Sequence, residues 1–132
     1  MADVQDRTAA AQGIAQAVAL SGAALAGALD PYGPRIGPDV GEPQTSGKVL
    51  HTSTDGSIEV GIWECTPGGW SIVDRPNTET VMILHGRATI TDADGTRHEL
   101  AVGTSLTLPL GWSGRWDIHE TIRKVYVTIA GH

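Results

Sequence analysis

Glu79-Thr-Val-Met-Ile-Leu-His-Gly-Arg-Ala-Thr-Ile-Thr91 is the stretch from which the fold is read. Apolar residues alternate at Val81 and Ile83, Gly86 interrupts, and Ala88 and Ile90 resume the alternation, which predicts two half-buried strands joined at a bend. Glu79 shares the parity of Val81 and Ile83, so its carboxylate points the same way as the core side chains. A buried carboxylate is costly unless it is hydrogen-bonded, paired or protonated, which makes Glu79 the most informative residue of the chain.

Outward from this stretch the texture is the same. Residues 48–52, 57–65 and 70–74 read as strands, with Thr66-Pro-Gly-Gly69 as a turn. Downstream, Asp92-Ala-Asp-Gly95 makes a hairpin turn into a strand at 97–102, residues 104–108 alternate up to Pro109-Leu-Gly111, and strands at 116–119 and 122–129 complete the set. Many short strands with closely spaced turns indicate an all-β antiparallel sandwich or closed barrel.

The upstream third differs. Ile14, Val18, Leu25 and Leu29 recur at roughly helical spacing in an Ala-rich background, predicting a thinly apolar helix over 8–28 that Gly13, Gly22 and Gly27 weaken. Residues 8–29 carry no charge, but Asp3 and Asp6 stand where a signal peptide needs positive charge, and the segment is too rich in Ala, Gly, Gln and Ser for a membrane span. Such an arm buries too little to stand alone, so it is expected to lean on the barrel or on a second subunit in a homodimer formed through sheet edges. Pro31, Gly33, Pro34, Gly37, Pro38, Gly41 and Pro43 then mark 30–47 as an extended linker. The division read from sequence is a helical arm and linker at 1–47 and a barrel at 48–132.

A chain of 132 residues is one domain's worth. Its 15 acidic and 9 basic residues, with no run of Lys or Arg, argue against nucleic acid as a partner. The lone Cys65 forms no internal disulfide, which fits a reducing, cytoplasmic setting.

Two boxes resemble the motifs of the cupins, a glycine, His-x-His, glutamate and glycine followed by Gly…Pro-x-Gly…His. Glu79 and Gly86 resemble the end of the first box; Gly103 with Pro109-Leu-Gly111 resembles the start of the second. Gly61-Ile-Trp-Glu-Cys-Thr-Pro-Gly-Gly-Trp70, Ile83-Leu-His-Gly-Arg87, Gly111-Trp-Ser-Gly-Arg-Trp116 and Arg123-Lys-Val-Tyr126 are similar to the ureidoglycine-aminohydrolase-like and ethanolamine-utilisation-like branch. The resemblance implies a cupin jelly roll, a double-stranded β-helix barrel, carrying the N-terminal arm. It departs at the metal. The His-x-His positions hold Val73 and Arg75, or Ile72 and Asp74, and the second-box histidine is Gly114. One carboxylate does not hold a transition metal tightly, so neither a metal nor another cofactor is expected. His51, His85, His98, His119 and His132 do not restore a site by their positions, although an unusual set drawing on Glu79, Asp74 and one of them is a further alternative.

A jelly roll encloses a pocket, which makes a small organic molecule the expected partner. Trp63, Trp70, Trp112 and Trp116, with Arg75, are the candidate ligand-binding residues. Lys124 and Tyr126 share a face of the last strand opposite Val125, Val127 and Ile129; the resemblance turns them inward, whereas burial preference would leave the lysine in water. Arg75 beside Glu79 would keep the carboxylate ionised, whereas Trp and Val around it would raise its pKa. Cys65 reads as a buried thiol that packs as a small hydrophobe. The sequence thus supports a metal-independent enzyme with Glu79, Tyr126 and Lys124 as acid–base groups for isomerisation, elimination or cyclisation. Its alternative is a noncatalytic binding or dimeric structural protein.

Overall fold

The computed structural model describes residues 15–131. The described residues form eight antiparallel strands: β1 (Asp30–Pro34), β2 (Gln44–Thr52), β3 (Ile58–Cys65), β4 (Gly68–Ile72), β5 (Asn77–Asp92), β6 (Arg97–Leu100), β7 (Ser105–Leu108) and β8 (Gly114–Ala130). Two long strands, β5 and β8, pair with one another from Asn77↔Ala130 to Asp92↔Gly114. The remaining strands divide between their two ends. β3 lies beside residues 122–129 of β8 and β7 beside residues 79–82 of β5, while β4 lies beside residues 114–118 of β8 and β6 beside residues 88–91 of β5. β2 and β1 extend the first group outward from β3. The inner faces of the two halves pack together in one core that includes Cys65, Val81 and Ile83 from one half and Trp70, Ile90, Leu100, Trp116 and Ile118 from the other, a jelly-roll barrel.

The bend expected at Gly86 lies within one continuous strand, not between two. The ladder shifts register between Ile83 and Ala88, and the inward set changes from Glu79, Val81 and Ile83 to Ala88 and Ile90. Gly86 makes this possible: its φ is +89°, and a Cβ there would lie 2.0 Å from the Thr121 carbonyl oxygen. The strands expected at 116–119 and 122–129 merge in the same way, because β8 keeps its ladder with β5 through the bend.

The N-terminal segment corrects the sequence reading. Within 15–29 only Gly22–Leu25, α1, is helical, capped by Ser21, and none of its residues is buried. Without an apolar face to bury, a glycine-interrupted segment gains too little to propagate a helix; residues 1–14 lie outside the described residues. Arg123 fastens the segment instead, its Nη1 donating to the carbonyls of Leu25 and Gly27 at 2.8 Å each. Strand structure also begins earlier than Lys48: β1 and the start of β2 fall inside the Pro/Gly-rich segment, where Pro31 and Pro34 sit on a strand paired along one edge only. Residues 68–69, read as a turn, open β4. No helix among the described residues is long and apolar enough to cross a membrane.

Candidate functional site

The alternation that turns Glu79 inward leaves it 4% exposed, and both its oxygens are taken by cations. Arg75 Nη2 lies 3.0 Å from Oε1 and Lys124 Nζ donates to Oε2 at 2.8 Å. Lys124 reaches the carboxylate because β8 turns it and Tyr126 inward while Val125, Val127 and Ile129 stand on the opposite face. Arg75 arrives by a different route. Asp74 adopts φ +51°, a left-handed conformation that Asp tolerates better than most residues. Its N–H donates to Ser113 Oγ at 2.9 Å, and the Arg75 N–H donates to the Trp112 carbonyl at 2.9 Å. This clamp holds the loop against residues 111–113 and aims the guanidinium into the barrel, leaving Asp74 exposed outside.

Three indoles wall the cavity beside these ions. Trp70 and Trp116 stack at 10° with centroids 6.2 Å apart, and Trp63 meets both edge-on at 6.3 Å. The Lys124 ammonium sits 4.5 Å from the Trp63 ring and 4.9 Å from Trp116, a favourable cation–π placement. Burial nevertheless pushes the lysine below its ordinary range, with the Glu79 charge and hydrogen bond opposing the shift. Tyr126 donates to Glu59 Oε2 at 2.7 Å, and burial, followed by that carboxylate, raises the phenol well above its usual range, so it remains protonated. Gly61 gives the ring its place: a Cβ there would lie 2.5 Å from the Tyr126 hydroxyl.

The cavity measures about 360 Å³. Of the residues singled out by sequence, Glu79, Lys124, Tyr126, Trp63, Trp70, Trp116 and Arg75 line it. Trp112 lies off the wall, its Nε1 donating to Asp92 Oδ1 at 2.8 Å. Arg35, missed in the sequence reading, also lines the cavity, with its guanidinium 4.9 Å above the Trp70 ring. Its only sequence signal is an arginine between Pro34 and Ile36 in an otherwise featureless linker. Cys65 is fully buried, and desolvation raises its thiol to about 11, so it packs rather than reacts.

The residues present do not fit the metal site of the cupin pattern. Ile72 and Arg75 offer no lone pair, Val73 is 81% exposed, and Asp74 points to solvent. At Gly114 a Cβ would lie 2.3 Å from the Trp112 ring, leaving no room for a histidine. The two groups on the Glu79 oxygens are themselves cations. His85, His98 and His119 bond to Thr121, Asp92 and Thr89 away from the cavity, His51 is exposed on β2, and His132 lies outside the described residues. No three His, Cys, Asp or Glu side chains come together among the described residues.

A family model for the EutQ-like cupin domain matches residues 52–126. Among solved structures, a DUF861-family protein of unknown function from Pseudomonas syringae superposes with a TM-score of 0.72 at 20% identity, covering 79% of this chain and 45% of its own. This chain therefore spans less than half of that relative. The EutQ protein of Clostridium difficile gives 0.57 at 19% identity, covering 67% and 69%, and ectoine synthase from P. lautus gives 0.58 at 17%, covering 65% and 64%. These likenesses carry the fold. No curated protein matches the chain.

Proposed function

The chain belongs to the EutQ-like cupin family, and we propose that its barrel cavity binds a small organic molecule and exchanges protons with it through Lys124 and Glu79, without a metal. One observation carries the reading: a buried ammonium and a buried carboxylate, 2.8 Å apart, form part of the wall of a cavity large enough for a small ligand. Burial draws the lysine toward its neutral form, the form that accepts a proton from an activated C–H, O–H or N–H group. Glu79 holds the amine in place and stabilises the ammonium that proton uptake creates. Tyr126, kept protonated and anchored on Glu59, serves as a fixed polar wall group. Ectoine synthase shares the fold and is named for a synthetic activity, which accords with an enzymatic role.

The test requires no knowledge of the natural substrate. A panel of small acids and amides with acidic C–H groups is incubated in D2O, and exchange is followed by NMR. The wild type is expected to wash deuterium into at least one compound that it binds, and Lys124→Met and Glu79→Gln, shown to be folded by circular dichroism, are expected to lose that activity. A second reading, a noncatalytic binding protein, is favoured by the pairing of both Glu79 oxygens. Saturable binding with neither exchange nor conversion would establish it over the first.

A further inference from the structure

The charges around the cavity do not balance. Among the described residues that line it, Glu79 is the one carboxylate, set against the permanently charged Arg35 and Arg75, so the wall carries at least one unneutralised cation even with Lys124 neutral. Glu79 is shared between Arg75 and Lys124, and among the described residues no carboxylate pairs with Arg35. Arg75 spends Nη2 on Glu79 while its Nε is buried without a hydrogen-bond partner. A buried guanidinium donor left without a partner is costly, so Arg75 is held short of its full hydrogen-bonding capacity.

Arg35 does not reach this place by chance. It stands at the start of the loop 35–43 between β1 and β2, whose first and last residues are joined by the Arg35 N–H to the Pro43 carbonyl at 2.9 Å. Further along, Arg115 grips both oxygens of Asp39 at 2.7 and 2.6 Å, and Val40 bridges to Gly69 beside Trp70. The loop is thus fastened at both ends and in the middle, and Arg35 lies over an indole that orients it.

Resting on the preceding assignment of this cavity as the ligand site, we infer that its ligand is a small organic carboxylate, held through its two oxygens by Arg35 and Arg75, with a flat or unsaturated body against Trp63, Trp70 and Trp116. A guanidinium presents donors in one plane, which matches the planar carboxylate, and the indole faces offer a flat apolar surface for the remainder. Arg35 is then the residue that sets specificity for charge, delivered by a segment whose sequence looks like an inert connection.

The probes are benzoate, its neutral isostere benzamide, and inorganic phosphate, titrated calorimetrically against the full chain. Benzoate is expected to bind at least about tenfold more tightly than benzamide, the loss of charge-assisted hydrogen bonds being worth a factor of that order. Arg35→Gln, at a partly buried position outside the ion pair, is expected to weaken benzoate by a similar factor while lowering the ligand-free melting temperature only slightly, through loss of its contact with Trp70. Arg75→Gln should weaken it as well, at some cost in stability. Phosphate is expected neither to bind measurably nor to displace benzoate.

Equal affinity for benzoate and benzamide, unchanged benzoate binding in Arg35→Gln, equal binding of phosphate, or no binding of any probe would each overturn the inference. The preceding reading fails separately. Benzamide binding that matches benzoate and is lost in Lys124→Met would remove the carboxylate and leave the proton-transfer pair standing. Charge-dependent benzoate binding without deuterium exchange in any bound compound would do the reverse.

Discussion

The two halves of β5 and β8 are built from the same pair of strands and carry opposite interiors. In one, Glu79 and Lys124 face inward at 4% and 6% exposure; in the other, the equivalent inward positions are Ala88, Ile90, Trp116 and Ile118, with no charge among them. The apolar half buries Ala88, Ile90, Trp116 and Ile118 in the core, and that burial contributes cohesion. It also supplies Trp70 and Trp116 as a wall on which the ions of the other half depend. Against that wall the charges are poorly solvated, so they interact strongly with one another and with anything that enters. Stability and chemistry are therefore divided between the halves, and the register shift at Gly86 is the hinge between them.

The largest effect that sharpens this contrast is expected from Glu79→Gln. The carboxylate is the shared partner of Lys124, which is buried, and Arg75, which is partly buried, so the isosteric amide should lower stability by about 3–5 kcal/mol in urea denaturation, the range for breaking a buried pair. Lys124→Met should cost clearly less, because Glu79 keeps Arg75 and the methionine fills much of the lysine volume. Equal losses in the two variants would show that the site is an isolated pair and not a three-membered cluster.

Next is the filled half. Ile90 is completely buried, and Ile90→Ala should cost about 2–4 kcal/mol through lost transfer energy and a residual cavity. Ligand affinity should be little changed, since Ile90 is not on the cavity wall. A large loss of benzoate affinity at constant fold would break the division of labour.

The smallest effect lies at the far end of β5. Hydrogen bonds from His98 and Trp112 hold Asp92 below the usual carboxylate value of 3.8. The unfolded chain then takes up its proton at higher pH than the native one, so the stabilisation is present above the usual value and is lost as pH falls through the depressed one. Asp92→Asn should melt slightly lower than the wild type near neutral pH, with the difference closing in strong acid. The group is largely solvated, which keeps the effect small. A gap that persists unchanged in acid would show that Asp92 acts through its hydrogen bonds alone and not its charge.

Much of the candidate site was legible in the chain. Glu79 shares its parity with two apolar neighbours, Lys124 and Tyr126 lie opposite a valine face, and three of the four tryptophans named from sequence line the cavity. Trp112 shares a box with Trp116 but stands off the cavity wall, its N–H drawn to Asp92. The arm misled because alanine content favours helix locally, whereas helix length depends on a face to bury that these residues lack. Arg35 was invisible for a different reason: a Pro/Gly-rich segment has no period from which to read a direction.

The sequence alone determined the all-β character, the inward faces around Glu79 and Lys124, the hairpin turn at 92–95 and the absence of the histidines that would hold a metal, because alternation and turn chemistry act between residues a few positions apart. Only the tertiary structure decided that Glu79 meets Arg75 and Lys124 together, and that Arg35 joins them from the other end of the chain. Lys124 is 45 residues from Glu79. Such a pairing follows from barrel closure and register, which set distances through space and leave no local trace along the sequence.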